Sequence, residues 1–146
     1  MKYWLGIVLA GFMASSWAAQ VEVVDAWVRE APPNAPMMAG YLTLRNPGRE
    51  AIVLVGAKSP QFKKVEIHRS RIENGMARME KQEKVEVPAG GEIRFDPGGY
   101  HLMLMHPLKR LRAGDRVRLE LILDGGERLE VVAPVRRDHG GMGHHH

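Results

Sequence analysis

Short apolar runs of period two, each cut off by Gly, Pro or Asn, constrain this chain more than any other feature. Successive side chains of a strand point to opposite faces, so such runs read as half-buried strands. Nine segments qualify: Val21–Arg29, Gly40–Asn46, Ala51–Ala57, Lys64–Arg69, Met76–Lys81, Glu92–Phe95, Tyr100–Met105, Arg116–Leu123 and Arg128–Val135. Turn chemistry separates them at Asn46-Pro47-Gly48, Glu73-Asn74-Gly75, Pro88-Ala89-Gly90-Gly91, Asp96-Pro97-Gly98-Gly99 and Asp124-Gly125-Gly126. The Asn74-Gly75 step predicts a tight hairpin. No segment sustains a helical stripe, and one short helical turn is expected around Pro107–Leu111. Short strands at this spacing predict an all-β, antiparallel β-sandwich with Greek-key connections.

A chain of 146 residues has room for one such domain. With 45% apolar and 26% charged residues it has a globular balance. It contains no cysteine, which excludes disulfides, thiolate metal sites, iron–sulfur clusters and thiol nucleophiles within it. The thiolate of a blue-copper electron-transfer site is excluded for the same reason. The formal charge of +4 is mild. Lys and Arg alternate with acidic and apolar residues on strand-like segments, unlike the clustered basic patch of a nucleic-acid binder.

The ends differ from the body. Lys2, the apolar run Tyr3–Met13, and small residues at Ser16 and Ala18 read as a signal peptide over residues 1–18, cleaved after Ala18. That run is well short of the roughly 20 residues of a spanning helix, so the expectation is an exported chain, periplasmic and not membrane-spanning after cleavage. Residues 19–136 form the expected domain. The Pro-rich stretch Ala31–Pro36 reads as a loop leading into Met37 and Met38. Residues 137–146 lose apolar periodicity and read as a flexible His/Met-rich tail.

Soft ligands concentrate in the body. In Tyr100-His101-Leu102-Met103-Leu104-Met105, Leu102 and Leu104 share one face, while His101, Met103 and Met105 share the other. In Lys64-Val65-Glu66-Ile67-His68, Val65 and Ile67 point inward and His68 points out with Glu66. Across the Asn74-Gly75 turn, hairpin spacing can bring Met79 near His68, subject to register. Two imidazoles and two thioethers make a neutral set that selects Cu(I) over zinc. Thioethers also form no disulfides in an oxidising compartment. Two readings stay open on the residues alone: a soft-metal site, or core methionines beside structural histidines.

At these residues the chain resembles the periplasmic copper chaperones of the PCu(A)C family. Their signature is a His, ten residues, a Met, twenty-one residues, then His-x-Met; His68, Met79 and His101-Leu102-Met103 match it in every spacing. Asp25-Ala26-Trp27-Val28-Arg29, Gly40-Tyr41-Leu42-Thr43-Leu44, Val87-Pro88-Ala89-Gly90-Gly91 and Pro97-Gly98-Gly99-Tyr100 extend the resemblance over roughly residues 22–134. It implies a cupredoxin-like fold and a surface Cu(I) site made by His68, Met79, His101 and Met103. It further implies delivery to the copper-bearing subunit of cytochrome c oxidase, directly or with a Sco-type copper protein.

The tail residues His139, Met142, His144, His145 and His146 are expected to form a second site favouring Cu(II), against the alternative of a His-rich end without a role. Met37, Met38 and Met105 read as core or rim, or as transient ligands during handover. His106 is assigned no role, and Trp27 reads as a core anchor. An enzyme is not expected, because no catalytic set stands out and four ligands leave no open metal position. A copper buffer or resistance protein using the same ligands, and a metal-free interaction sandwich, are the competing functions.

Overall fold

The computed structural model describes residues 21–137. Ten strands follow one another: β1 Glu22–Arg29, β2 Met37–Arg45, β3 Ile52–Lys58, β4 Phe62–Glu73, β5 Met76–Lys81, β6 Val85–Val87, β7 Glu92–Phe95, β8 Tyr100–Pro107, β9 Arg116–Leu123 and β10 Arg128–Arg136. Their order is β5-β4-β8-β7-β2-β1-β10-β9-β3-β6. The first six make one sheet and the last four the other, with Val28 of β1 meeting Val135 of β10 at the junction. Neighbours out of chain order, such as β4 with β8 and β3 with β9, mean that the chain crosses repeatedly between the sheets. The fold is all-β and cupredoxin-like. Pairings are antiparallel except β1 with β10 and the single β7–β8 pair, which are parallel.

One apolar core lies between the sheets. Leu42, Leu44, Ile67, Phe95, Leu102 and Leu104 come from the first sheet, and Leu54, Val87, Val117, Leu119, Leu121 and Val135 from the second. Each is an alternate residue of its strand, as burial of one face requires. Asn46 plugs the end of β2. Its amide donates to the carbonyls of Glu50, Val87 and Pro88, and its Oδ1 accepts from the Gly48 N–H. These bonds satisfy a side chain that is 2% exposed.

Three features depart from the sequence expectation. Residues Val85–Val87 form a strand, too short to show alternation, that buries both valines against β3. Strand β2 begins at Met37, three residues before Gly40, because the chain stays paired with β8 there. Leu108–Leu111 form no helical turn; the Leu108 N–H donates to the Gln61 carbonyl instead. The hairpin at Asn74-Gly75 forms as expected. Both residues have positive φ (52° and 77°), the type I′ signature that two-residue turns favour.

Candidate metal centre

The hairpin β4–β5 and strand β8 decide where the soft side chains go. Directly paired residues point to the same side of a sheet. His68 pairs with His101, and Glu66 with Met103, across β4 and β8. Met79 pairs with Ser70, and His68 with Lys81, across β4 and β5. His68, Met79, His101 and Met103 therefore lie on one face, the side of the sheet turned away from Ile67, Leu102 and Leu104. Met79 sits diagonally from His68, not opposite it, a separation of about 7–8 Å that long side chains can span.

The two imidazoles are 5.9 Å apart between centroids and tilted by 44°. Each uses one nitrogen to fix its orientation. The His68 Nε2–H donates to Glu66 Oε2 at 2.8 Å, and the His101 Nδ1–H donates to the Gly99 carbonyl at 3.3 Å. Both partners are pure acceptors, so in the neutral rings the lone pair falls on Nδ1 of His68 and on Nε2 of His101. The His68 Nδ1 is buried without a hydrogen-bond partner. A buried orphan acceptor costs free energy unless something occupies it, and a soft cation is a natural occupant. Burial holds the His101 imidazole below its ordinary value, aided by His68 and opposed by the Gly99 bond. The ring therefore stays neutral, as a metal ligand must.

Glu66 supports His68 from behind. Its carboxyl is pulled down to about 2, first by the His68 hydrogen bond and then by Lys64. Lys64 Nζ lies 2.9 Å and Lys81 Nζ 3.7 Å from Glu66 Oε1. Carboxylate, imidazole and open nitrogen in line make the outer-shell arrangement that orients metal-binding histidines. Met103 is half-buried, whereas Met79 is 54% exposed at the edge. Among the described residues, no group of three or more His, Cys, Asp or Glu is placed to hold a metal ion. A site of three or more side chains on this face would draw on the thioethers.

Sequence reasoning did not foresee the pairing of Trp27 with Tyr41. A bulge between Val24 and Trp27, with Asp25 at φ 54°, inserts one residue and reverses the inside–outside parity of β1. Val28 takes the core position, and Trp27 pairs with Tyr41 on the outer face. Trp27 is buried as expected, at 3% exposure, but against Tyr41 on the outer face and not in the cluster between the sheets. Its ring packs against Tyr41 with centroids 4.9 Å apart and planes tilted by 37°, and the Arg29 guanidinium lies over both. Tyr41 follows the Gly40–Leu102 pair, which places it on the same face as His101. The signal peptide, its cleavage point and the tail residues His139, Met142 and His144–His146 lie outside the described residues.

A cupredoxin-like sandwich with this outer face is the fold of a PCuAC domain. The copper-bound PCuAC domain from PmoF2 superposes with a TM-score of 0.68 at 19% identity, over 81% of this chain and 93% of that one. Apo-DR1885 from Deinococcus radiodurans matches with a TM-score of 0.64 at 32% identity, over 85% of this chain and 83% of that one. CuI-DR1885 matches with the same score and identity over 78% and 76%. The chain belongs to the LpqE-like family, whose model matches residues 21–135. Curated relatives include Lxx21020 of Leifsonia xyli subsp. xyli, named as a lipoprotein, 31% identical over 80% of this chain and 69% of that protein. RP573 of Rickettsia prowazekii is 28% identical over 82% and 68%.

Proposed function

We propose that this chain is an exported copper chaperone. It carries Cu(I) between His68, Met79, His101 and Met103 and yields it to the copper-bearing subunit of cytochrome c oxidase, directly or through a Sco-type copper protein. One observation carries the reading: two imidazoles are paired across β4 and β8, 5.9 Å apart between centroids, each with one nitrogen hydrogen-bonded, with thioethers on the same face and the buried His68 Nδ1 left without a partner. The Cu(I)-bound form of DR1885, at 32% identity, supports copper as the cargo.

The chemistry suits carriage. His68 offers Nδ1 and His101 offers Nε2, and each ring is oriented by a hydrogen bond from its other nitrogen. Thioethers are soft but uncharged, so the site prefers Cu(I) yet loses it to an acceptor with thiolates. Met79, at the exposed edge, is the ligand an incoming acceptor can displace first. The lipoprotein name of the relatives supports export. In the tail, His139, Met142, His144, His145 and His146 would supply a separate Cu(II) site.

The test is anaerobic Cu(I) titration against a chromophoric competitor. It compares the intact chain with Met79→Ala, Met103→Ala and a chain ending at Val135. The expected result is one tight equivalent, weakened by both methionine changes and kept by the shortened chain, which loses Cu(II) stoichiometry alone. Binding indifferent to both methionines and lost with the tail overturns the assignment. A copper-rescued respiratory defect on gene deletion supports delivery; copper sensitivity without that defect points to buffering.

A further inference from the structure

The face that carries the candidate centre continues beyond it. The β2–β8 ladder sets Met37 directly opposite Met105, Met38 opposite Leu104 and Ala39 opposite Met103. Met38 and Leu104 are turned into the core. Met37 and Met105 therefore share the outer face with Met103 and His101. Directly opposed residues have Cβ atoms about 5 Å apart, so two flexible thioethers can close on one ion. The backbone holds the pair in place: one rung further, the His106 N–H donates to the Pro36 carbonyl at 2.7 Å. Lys64, opposite Met105 on β4, has its ammonium bound to Glu66 at 2.9 Å.

Packing does not account for Met37. Its neighbour Met38 shows what a packing methionine does here, at 5% exposure within the core, whereas Met37 is 47% exposed. A half-exposed side chain contributes little apolar burial. What distinguishes thioether from hydrocarbon at that position is the soft sulfur.

We propose that Met37 and Met105 form a second, weaker Cu(I) station, two positions along β8 from Met103 and about 7 Å away. Cu(I) accepts linear coordination, and two thioethers without imidazole hold it less tightly than a mixed set. An ion can step along the strand from Met105 to Met103, giving the face a route as well as a resting place. The station rests on the copper reading above, but its two side chains come from the β2–β8 ladder and can bind whether or not the four-residue centre does.

The experiment titrates the full chain, labelled with ¹³C at its methionine methyls, with Cu(I) under anaerobic conditions. The Met37 and Met105 signals are expected to shift together beyond the first equivalent, with apparent affinity at least about tenfold weaker. Met38 and Met76, which point elsewhere, stay still. Met37→Leu/Met105→Leu conserves apolar volume and should abolish the second step while leaving the Met79 and Met103 response within about twofold. Met37→Leu alone, at an exposed position, gives the same loss without touching the half-buried partner. If Met37 and Met105 do not move at excess Cu(I), or if the second step survives the double change, the station does not exist. If they move while Met79 and Met103 do not, the station stands and the four-residue centre falls.

Discussion

Both sheets present the same inner face and opposite outer ones. In β8, Leu102 and Leu104 face the core and His101, Met103 and Met105 face away. In β9, Val117, Leu119, Leu121 and Leu123 face the core, and Arg116, Arg118, Glu120 and Ile122 face away. The outer side of β9 is a solvated surface, where Arg128 of β10 pairs with Glu120 at 2.7 Å. The outer side of β8 carries imidazole and thioether, with the Glu66 carboxyl, only 12% exposed, set behind one ring. Core-facing residues are apolar in both sheets; the imidazoles and thioethers stand among the alternate residues of one of them.

The largest effects should ignore this difference. Leu104→Ala and Leu121→Ala each remove a fully buried side chain from the shared core. Each should cost about 2–5 kcal/mol in denaturant unfolding. Near-equal losses support one cooperative core spanning both sheets. A loss confined to one variant would show that the sheets unfold separately.

His101→Ala tests the outer face of β8. Its removal should lower Cu(I) affinity by about 100-fold or more, equivalent to about 2.7 kcal/mol. Stability at neutral pH should change far less than for the leucines. The intact apoprotein should also lose stability as pH falls. The folded-state pKa of His101 is lowered by burial, so below the ordinary 6.5 the unfolded chain takes up a proton that the folded chain resists. This contribution is present above 6.5 and declines beneath it. Comparing urea midpoints of wild type and His101→Ala across pH 5–8 isolates it; identical profiles would reject the assignment.

These side chains were unequally legible. The alternation at 100–105 already separates Leu102 and Leu104 from His101, Met103 and Met105, since period two needs no tertiary information. The Asn74-Gly75 turn is equally local. The opposition of His68 and His101 is not, because it depends on the register of two strands distant in the chain. The face taken by Trp27, though not its burial, was hidden for another reason. The bulge at Asp25 reverses parity partway along β1, and nothing in Val21–Arg29 announces a positive φ at an aspartate. Met37 was hidden because a Pro-rich approach suggests a loop, whereas pairing with Met105 extends the strand.

Glu66→Gln sharpens the comparison between a carboxylate with a task and one without. The amide can offer its NH₂ to His68 Nε2 and so favour the other tautomer, turning the Nδ1 lone pair into an N–H. Cu(I) affinity should fall by about 10–100-fold, as for other outer-shell changes, and ¹⁵N shifts of His68 should report the switched tautomer. The depressed Glu66 pKa adds a separate signature. It contributes stability that is present above the ordinary 4.5 and lost as pH drops toward about 2. The glutamine variant should lack that acid-side slope. Unchanged affinity and unchanged His68 tautomer would reduce Glu66 to a surface charge.

Glu120→Gln is the counterpart on β9, and it should do least. Glu120 pairs with Arg128 across an exposed face, with their side chains 31% and 55% exposed, and such pairs contribute about 0–1 kcal/mol. It also stands directly opposite Glu130 in the β9–β10 ladder. Like charges across a ladder destabilise it, so losing one offsets the lost ion pair. The net change in unfolding free energy should fall within about 0.5 kcal/mol, with Cu(I) affinity unaltered. Both carboxylates sit on outer faces of the same sandwich, one behind an imidazole and one beside an arginine. If Glu120→Gln weakened copper binding as Glu66→Gln does, the effect would come from overall charge, and the His68–Glu66 geometry would lose its claim on function.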